Sequence, residues 1–403
     1  MARPTIVWYR LRQTFGLRGI GAAMTSLISK VAVGLRMLTV TVTLLAVAAC
    51  SSFGMRHPVP AADAETAALV SSPVIRYWGD ELPKGNAEIF SGLARTASPK
   101  FLALSGGGMN GAYGAGFLVG WTARGDRPKF DIVTGISVGA VIAPMAFLGP
   151  RYDKRMESIF SNLAVQRTKG PGVLAALLGA PAIADNTPLR MAIAQVVDQQ
   201  ALDEIAAEHR AGRRLLIGTT NLDAERPVVW DIGAIANSNI VNRLELVRTI
   251  ILASAAVPGI FPPVLIRVNA EGKPYDELHV DGGVTQQVVL LPGGFGASGP
   301  KLNGTLYVIY NGTIEPQRDA IQQVSSVSVL ARAVPSLLKY RGRGDIIVLE
   351  NAVRARGIKY MLTAIAADFP QPDNLFMASP AWLNELFTFG YKNGRAGNWQ
   401  KHP

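Results

Sequence analysis

The chain has 403 residues, 49% of them hydrophobic and only 17% charged, which supplies enough apolar material for a full-sized core and excludes a disordered polymer. Six cations and no acid fall within residues 1–49, so the net charge of +11 leaves a body with 34 cations against 29 acids, and no basic stripe interleaved with aromatics marks a nucleic-acid binder. The single cysteine, Cys50, excludes an internal disulfide framework and any all-cysteine metal site.

From Met37 to Ala49 runs the apolar stretch MLTVTVTLLAVAA, preceded by Lys30 and Arg36 and ending in small residues. This is the layout of a secretory signal, and it is short for a transmembrane span, which needs about 20 apolar residues. Val47-Ala48-Ala49-Cys50 resembles a lipobox, which implies diacylation of Cys50 and cleavage before it, with residues 1–49 as the signal peptide. An uncleaved signal anchor followed by an incidental cysteine is the alternative. Ser51 in place of an aspartate implies sorting to the outer membrane, with the domain in the periplasm or at the cell surface. The long segment before the apolar run allows Met24 as the true start. Residues 50–73 are small, polar and proline-bearing, the composition of a flexible tether to a firmly held lipid anchor.

A single large domain is expected over residues 74–403. Phe101–Ser105, Phe130–Thr134, Leu215–Thr220, Val228–Asp231 and Leu306–Tyr310 read as short buried strands. Between them, Gly111–Arg124, Val138–Phe147, Leu189–Val197, Asp203–Ala211 and Leu244–Ala253 have helical patterns, which together predict an α/β sheet covered on both faces. Residues 316–403 look mainly helical, with Ile358–Ala367 the clearest apolar run. The aromatic patch Trp382, Phe387, Phe389 and Tyr391 reads as a face that seals the core. The basic tract Arg332, Lys339, Arg341, Arg343, Arg354, Arg356 and Lys359 reads as a solvated face, with a face toward anionic lipid as the alternative.

Three motifs sit at predicted strand ends. Ser105-Gly106-Gly107-Gly108-Met109-Asn110-Gly111 joins a strand to a helix, and glycines there let consecutive N–H groups converge on an anion. Such a nest can serve as an oxyanion hole, although Gly106, Gly108 and Gly111 also fit the dinucleotide fingerprint. Gly135-Ile136-Ser137-Val138-Gly139 has the strand–turn–helix context of a nucleophile elbow. Serine needs a base, and the histidines serve poorly: His402 is penultimate, His57 lies in the tether, His209 sits on a helix read as solvated, and His279 is more often structural at a strand end. His279-Val280-Asp281-Gly282-Gly283 supplies a carboxylate instead, which must be partly desolvated to act, or which merely caps its turn.

Taken together and in this order, the three motifs resemble the patatin-like phospholipase family from about Pro73 to the C-terminus. Ala253-Ser254-Ala255-Ala256-Val257-Pro258-Gly259-Ile260-Phe261-Pro262-Pro263, Asp185-Asn186-Thr187-Pro188-Leu189 and Gly218-Thr219-Thr220-Asn221-Leu222 resemble the same family. The resemblance implies a three-layer α/β/α sandwich with a mostly parallel central sheet. It also implies a Ser137–Asp281 dyad without histidine, an oxyanion hole lined by Gly106, Gly107 and Gly108, and hydrolysis of fatty-acyl esters of membrane lipids without cofactor or metal. Gly111, Gly135, Gly139, Gly282 and Gly283 complete the motifs. Many members carry a cation at the place of Asn110 and an aspartate at that of Ser105, which leaves phospholipid less firmly implied than ester hydrolysis. Two rivals stay open: a dinucleotide-binding oxidoreductase using Gly106–Gly111, with Asp131 as its weakly fitting acidic partner, and a catalytically silent lipoprotein of the same fold. Oligomeric state is not legible.

Overall fold

Along the central strands, neighbouring residues point to opposite faces, and each face is apolar, so the sheet must be covered twice. The computed structural model describes residues 56–69, 75–82, 96–160, 187–258, 260–291, 301–316, 320–372 and 378–400. The expected signal peptide, Cys50, Asp185, Asn186, Gly259 and His402 lie outside the described residues.

In chain order the strands are β1 (Arg76–Trp78), β2 (Lys100–Leu104), β3 (Ile132–Ile136), β4 (Arg214–Asn221), β5 (Arg226–Asp231), β6 (Val264–Ala270), β7 (Lys273–Asp281), β8 (Thr305–Tyr310) and β9 (Lys359–Ala364). The α-helices are α1 (Gly111–Arg124), α2 (Val138–Leu148), α3 (Asp153–Phe160), α4 (Thr187–Val196), α5 (Gln199–Arg210), α6 (Ile232–Ala236), α7 (Arg243–Ser254), α8 (Ser326–Ala355) and α9 (Pro380–Ala396). One sheet has the order β1-β5-β4-β3-β2-β8-β9. Its central five strands, β4 to β9, are parallel, while β1, β5 and the β6–β7 hairpin add antiparallel pairs on the β4 side. This is the mixed α/β sheet, parallel at its centre and flanked by helices, that the pattern of apolar runs predicts.

Leu102, Leu104, Val133, Leu215, Ile217 and Ile309 face a core shared with α1 to α7 and α9. Their neighbours Phe101, Ala103, Ile132, Leu216, Leu306 and Val308 face a second core closed by Val288–Leu291 and by Ile346, Leu349 and Val353 of α8. The result is three layers, with a single helix among the described residues over much of the second face.

Residues 316–403 are mainly helical through α8 and α9, with one exception. Most of the apolar run Ile358–Ala367 is the strand β9, parallel to β8, with Tyr360, Leu362 and Ala364 packed toward α8. In so short a run, periodicity does not separate a buried strand from a buried helix, and here pairing with an open sheet edge decides. The aromatic patch does seal the core: Trp382 and Phe387 are buried on α9. That helix lies against α1 through facing glycines, since a Cβ added to Gly116 or Gly120 would come 2.1 or 2.0 Å from the carbonyl oxygens of Phe387 and Tyr391. Reciprocally, one added to Gly390 or Gly394 would come 2.2 or 2.0 Å from those of Tyr113 and Phe117.

Packing also begins earlier than the expected domain boundary at residue 74. Ala67 and Leu69 are buried, Ala68 bridges to Asn269 of β6, and the Asp276 N–H donates to the His57 carbonyl at 2.7 Å. Residues 57–69, expected as flexible tether, are thus docked on the β6–β7 hairpin, which buries apolar side chains that composition alone masks among polar neighbours.

Candidate active site

Two strands meet end to end beside β4. β3 runs up one edge of β4 until Ile136 pairs with Gly218, and β7 comes down the same edge from the opposite direction until Asp281 pairs with Thr219. The residue after Ile136 is Ser137, so adjacent positions on β4 set the separation between the serine and the aspartate. This register brings together residues 144 positions apart in sequence.

Ser137 has φ 54°, ψ −123°, a backbone conformation that costs a non-glycine residue about 1–3 kcal/mol and persists only where its surroundings impose it. The surroundings do so by close approach. A Cβ on Gly135 would lie 2.4 Å from the Gly139 carbonyl oxygen, and one on Gly139 2.4 Å from that of Leu104. Ser137 stands at the N-cap of α2 beside the positive end of a helix, yet its hydroxyl makes no capping bond and interacts instead with the Asp281 carboxyl. Its N–H donates to Ser254 Oγ at 2.9 Å, and that hydroxyl donates to the Gly218 carbonyl at 2.6 Å. Ser254 therefore ties the elbow to β4 from the last residue of α7. The sequence shows it only as part of a small-residue stretch, with no sign of this role.

Asp281 is fixed at both backbone groups: its N–H donates to the Ala256 carbonyl at 3.0 Å, and its carbonyl accepts from Thr220 Oγ1 at 3.0 Å. Oδ1 accepts from the Gly283 N–H at 2.7 Å, which is the turn cap expected of an Asp-Gly-Gly sequence. Oδ2 is buried and makes no full hydrogen bond among the described residues. Burial pushes the carboxyl pKa up to about 6, and the Ser137 hydroxyl and Gly283 N–H only partly oppose this by favouring the ionised form. Gly282 admits no side chain, because a Cβ would meet the Gly218 carbonyl oxygen at 2.6 Å.

The glycine loop completes the cluster. A Cβ on Gly106 would lie 3.3 Å from the Ser137 Cβ, and one on Gly111 2.2 Å from Val138 Cγ2. Gly107 has φ 150°, and a Cβ there would sit 1.9 Å from the Asn311 carbonyl oxygen, so both conformation and space require glycine. Gly106, expected among the anion donors, gives its N–H to the Gln287 carbonyl at 3.2 Å. The Gly107 and Gly108 N–H groups have no acceptor among the described residues and are the donors that remain. Asn311, which belongs to none of the sequence motifs, clamps this loop. Its N–H donates to Ser105 Oγ (2.7 Å), its Nδ2 to the Ser105 carbonyl (2.9 Å), and its Oδ1 accepts from the Gly114 N–H (3.1 Å). Ser105 at this position thus serves the loop's architecture.

The histidines are placed elsewhere. His279 is fully buried with both ring nitrogens engaged, Nδ1 with Thr219 Oγ1 at 3.0 Å and Nε2 with Glu277 Oε2 at 3.1 Å. Burial holds its pKa down, and Arg76 completes the buried group by pairing with Glu277. His209, expected on a solvated helix face, is half-buried beside Asp231, and desolvation lowers its pKa to about 4. Asp131, the acidic partner a dinucleotide site would need, accepts from the Lys100 N–H at 2.7 Å, at the far end of β2 from the glycine loop. Four residues of strand, roughly 13 Å, separate the two ends. Among the described residues no cluster of His, Cys, Asp and Glu could hold a metal ion.

Residues 102–292 match the family model described as Patatin-like phospholipase. No curated protein matches the chain. Among solved structures, VipD from Legionella pneumophila is similar at 14% identity, covering 75% of this chain and 68% of that chain with a TM-score of 0.36, a likeness too slight to carry any argument. The matched span contains the glycine loop, the elbow and the Asp-Gly-Gly turn, all gathered at one end of the parallel strands, and over these residues the chain is similar to the patatin-like phospholipases, a family of lipid acyl hydrolases.

Proposed function

We propose that this domain hydrolyses fatty-acyl esters of membrane lipids by transferring the acyl group to Ser137 and then to water. The supporting observation is the convergence of a positive-φ serine, whose hydroxyl caps no helix, with a buried carboxyl on which that hydroxyl acts. In the first half-reaction the Asp281 carboxylate takes the Ser137 proton as Oγ bonds to the acyl carbonyl carbon. The carbonyl oxygen becomes an oxyanion, which the Gly107 and Gly108 N–H groups hold. Collapse expels the lipid alcohol, protonated by Asp281, and leaves the acyl-enzyme. Water then attacks, with the same carboxylate as base, and free fatty acid departs. We further propose that the chain works at the outer membrane, held by an acylated Cys50.

Burial helps the chemistry, since a carboxylate of pKa about 6 is a far better base than one near 3.8. kcat/KM on a soluble ester is expected to rise about tenfold per pH unit below 6 and to level off above it, because only the ionised form accepts the proton. A flat profile between pH 4.5 and 7.5 would refute Asp281 as the base. The direct test is hydrolysis of phospholipids, lysophospholipids and simple esters by the wild type and by Ser137→Ala, with fluorophosphonate labelling alongside. Activity and label are both expected to vanish in the variant, and full activity there would remove Ser137 from the mechanism.

A further inference from the structure

Helix α8 is apolar on two sides, and only one is packed. Ile346, Leu349 and Val353 enter the second core. On the opposite side Val334, Leu337, Tyr340, Ile347 and Val348 are exposed by 50%, 70%, 59%, 45% and 70%, a stripe following helical spacing over more than three turns. An apolar stripe of this size on an outer helix marks a contact surface.

Charge indicates what it contacts. The helix carries five cations and two acids. Arg332, Lys339 and Arg343 follow one flank of the stripe at helical spacing, and Arg341 lies within it, half exposed. Both acids turn away: the Asp345 side chain is 15% exposed and the Glu350 side chain 10%, the former paired with Arg341 and the latter with Arg354. An apolar stripe bordered by cations, with its acids withdrawn, is the pattern of a helix lying in the interface of an anionic bilayer.

The helix is also joined to the candidate site. Asp345 Oδ2 accepts from the Gln287 and Val288 N–H groups at 2.6 and 3.4 Å, and Arg341 donates to the Thr285 carbonyl. This segment directly follows the Asp281-Gly282-Gly283 turn, and the Gln287 carbonyl holds the Gly106 N–H. We infer that the outer face of α8 is a membrane-docking surface that lays the domain on anionic lipid with its active site at the bilayer. The docking is independent of the chemistry, while its purpose rests on the lipid hydrolase function proposed above.

The test uses the full chain with Cys50→Ser, which removes the only cysteine, and Ser137→Ala, which prevents turnover. In that background Leu337→Cys carries an environment-sensitive fluorophore, and Lys154→Cys on α3, across the sheet, is the control. Vesicles of phosphatidylcholine with phosphatidylglycerol are expected to shift the emission at 337 to the blue. Pure phosphatidylcholine should do so less, high salt should weaken the shift, and the probe at 154 should not respond. No shift at 337, or one that appears without vesicles and grows with protein concentration, overturns the proposal, the second outcome by revealing contact between copies. In active enzyme, Leu337→Glu with Val348→Glu is expected to reduce hydrolysis of vesicle lipid about tenfold and to leave a monomeric short-chain ester unaffected. Equal activity on vesicles would also overturn it. A wild type inert toward both substrates would defeat the hydrolase function, and the probe at 337 would still report docking.

Discussion

Asp281→Asn is expected to lower kcat/KM by about 10³-fold while making the protein more stable at pH 8. The loss follows from removing the group that takes the Ser137 proton. The gain follows from linkage. In the folded chain the carboxyl holds its proton up to about pH 6, whereas its ordinary value is 3.8. The folded state is therefore favoured at low pH and loses that advantage as pH rises through 6, by roughly 3 kcal/mol once ionisation is complete. Asparagine has the same shape, can keep the bond from the Gly283 N–H and does not ionise. Denaturation midpoints of the wild type and variant should converge near pH 4 and separate above pH 6, with the variant higher. A variant equally or less stable at pH 8 would mean that Asp281 is a structural cap and not a base held under tension.

Gly390→Leu is expected to destabilise the fold by about 3 kcal/mol or more, because the first added atom would lie 2.2 Å from a backbone carbonyl and no rotamer avoids it. The two helices must separate, and α1 begins where the glycine loop ends, so activity should fall with stability. Gly344→Ala is the control. It sits on α8 with no atom within 4 Å of the added Cβ, and alanine there should be neutral or stabilise by up to about 1 kcal/mol. Urea denaturation of the two variants beside the wild type gives the comparison, and a midpoint for Gly390→Leu equal to that of the wild type would contradict the described contact between α1 and α9.

The two groups proposed to carry the chemistry were legible because each is announced locally. Ser137 and Asp281 stand between glycines at strand ends, and backbone clearance leaves that signature in the chain itself. The supporting groups were not. Ser254, Asn311 and Asp345 act through bonds to main-chain atoms 117, 206 and 58 residues away, and nothing near them in sequence announces those bonds. The same limit explains Gly106, whose amide is satisfied by a carbonyl on a distant loop. The apolar stripe on the exposed side of α8 was not legible for a different reason. Its cations stand out in one dimension, but whether the leucines and valines between them turn inward or outward depends on which side of the helix meets the sheet.

The end-to-end meeting of β3 and β7 has a temporal consequence. Strands β2, β3 and β4 and the elbow between them precede α7 in the chain, whereas Asp281 arrives only when the later β6–β7 hairpin docks antiparallel on the remaining half of β4. A nascent or partly unfolded chain therefore displays the serine without its proton acceptor. Until that long-range pairing forms, the proposed dyad has only one of its two members, and whatever activity it supports is tied to completion of the fold.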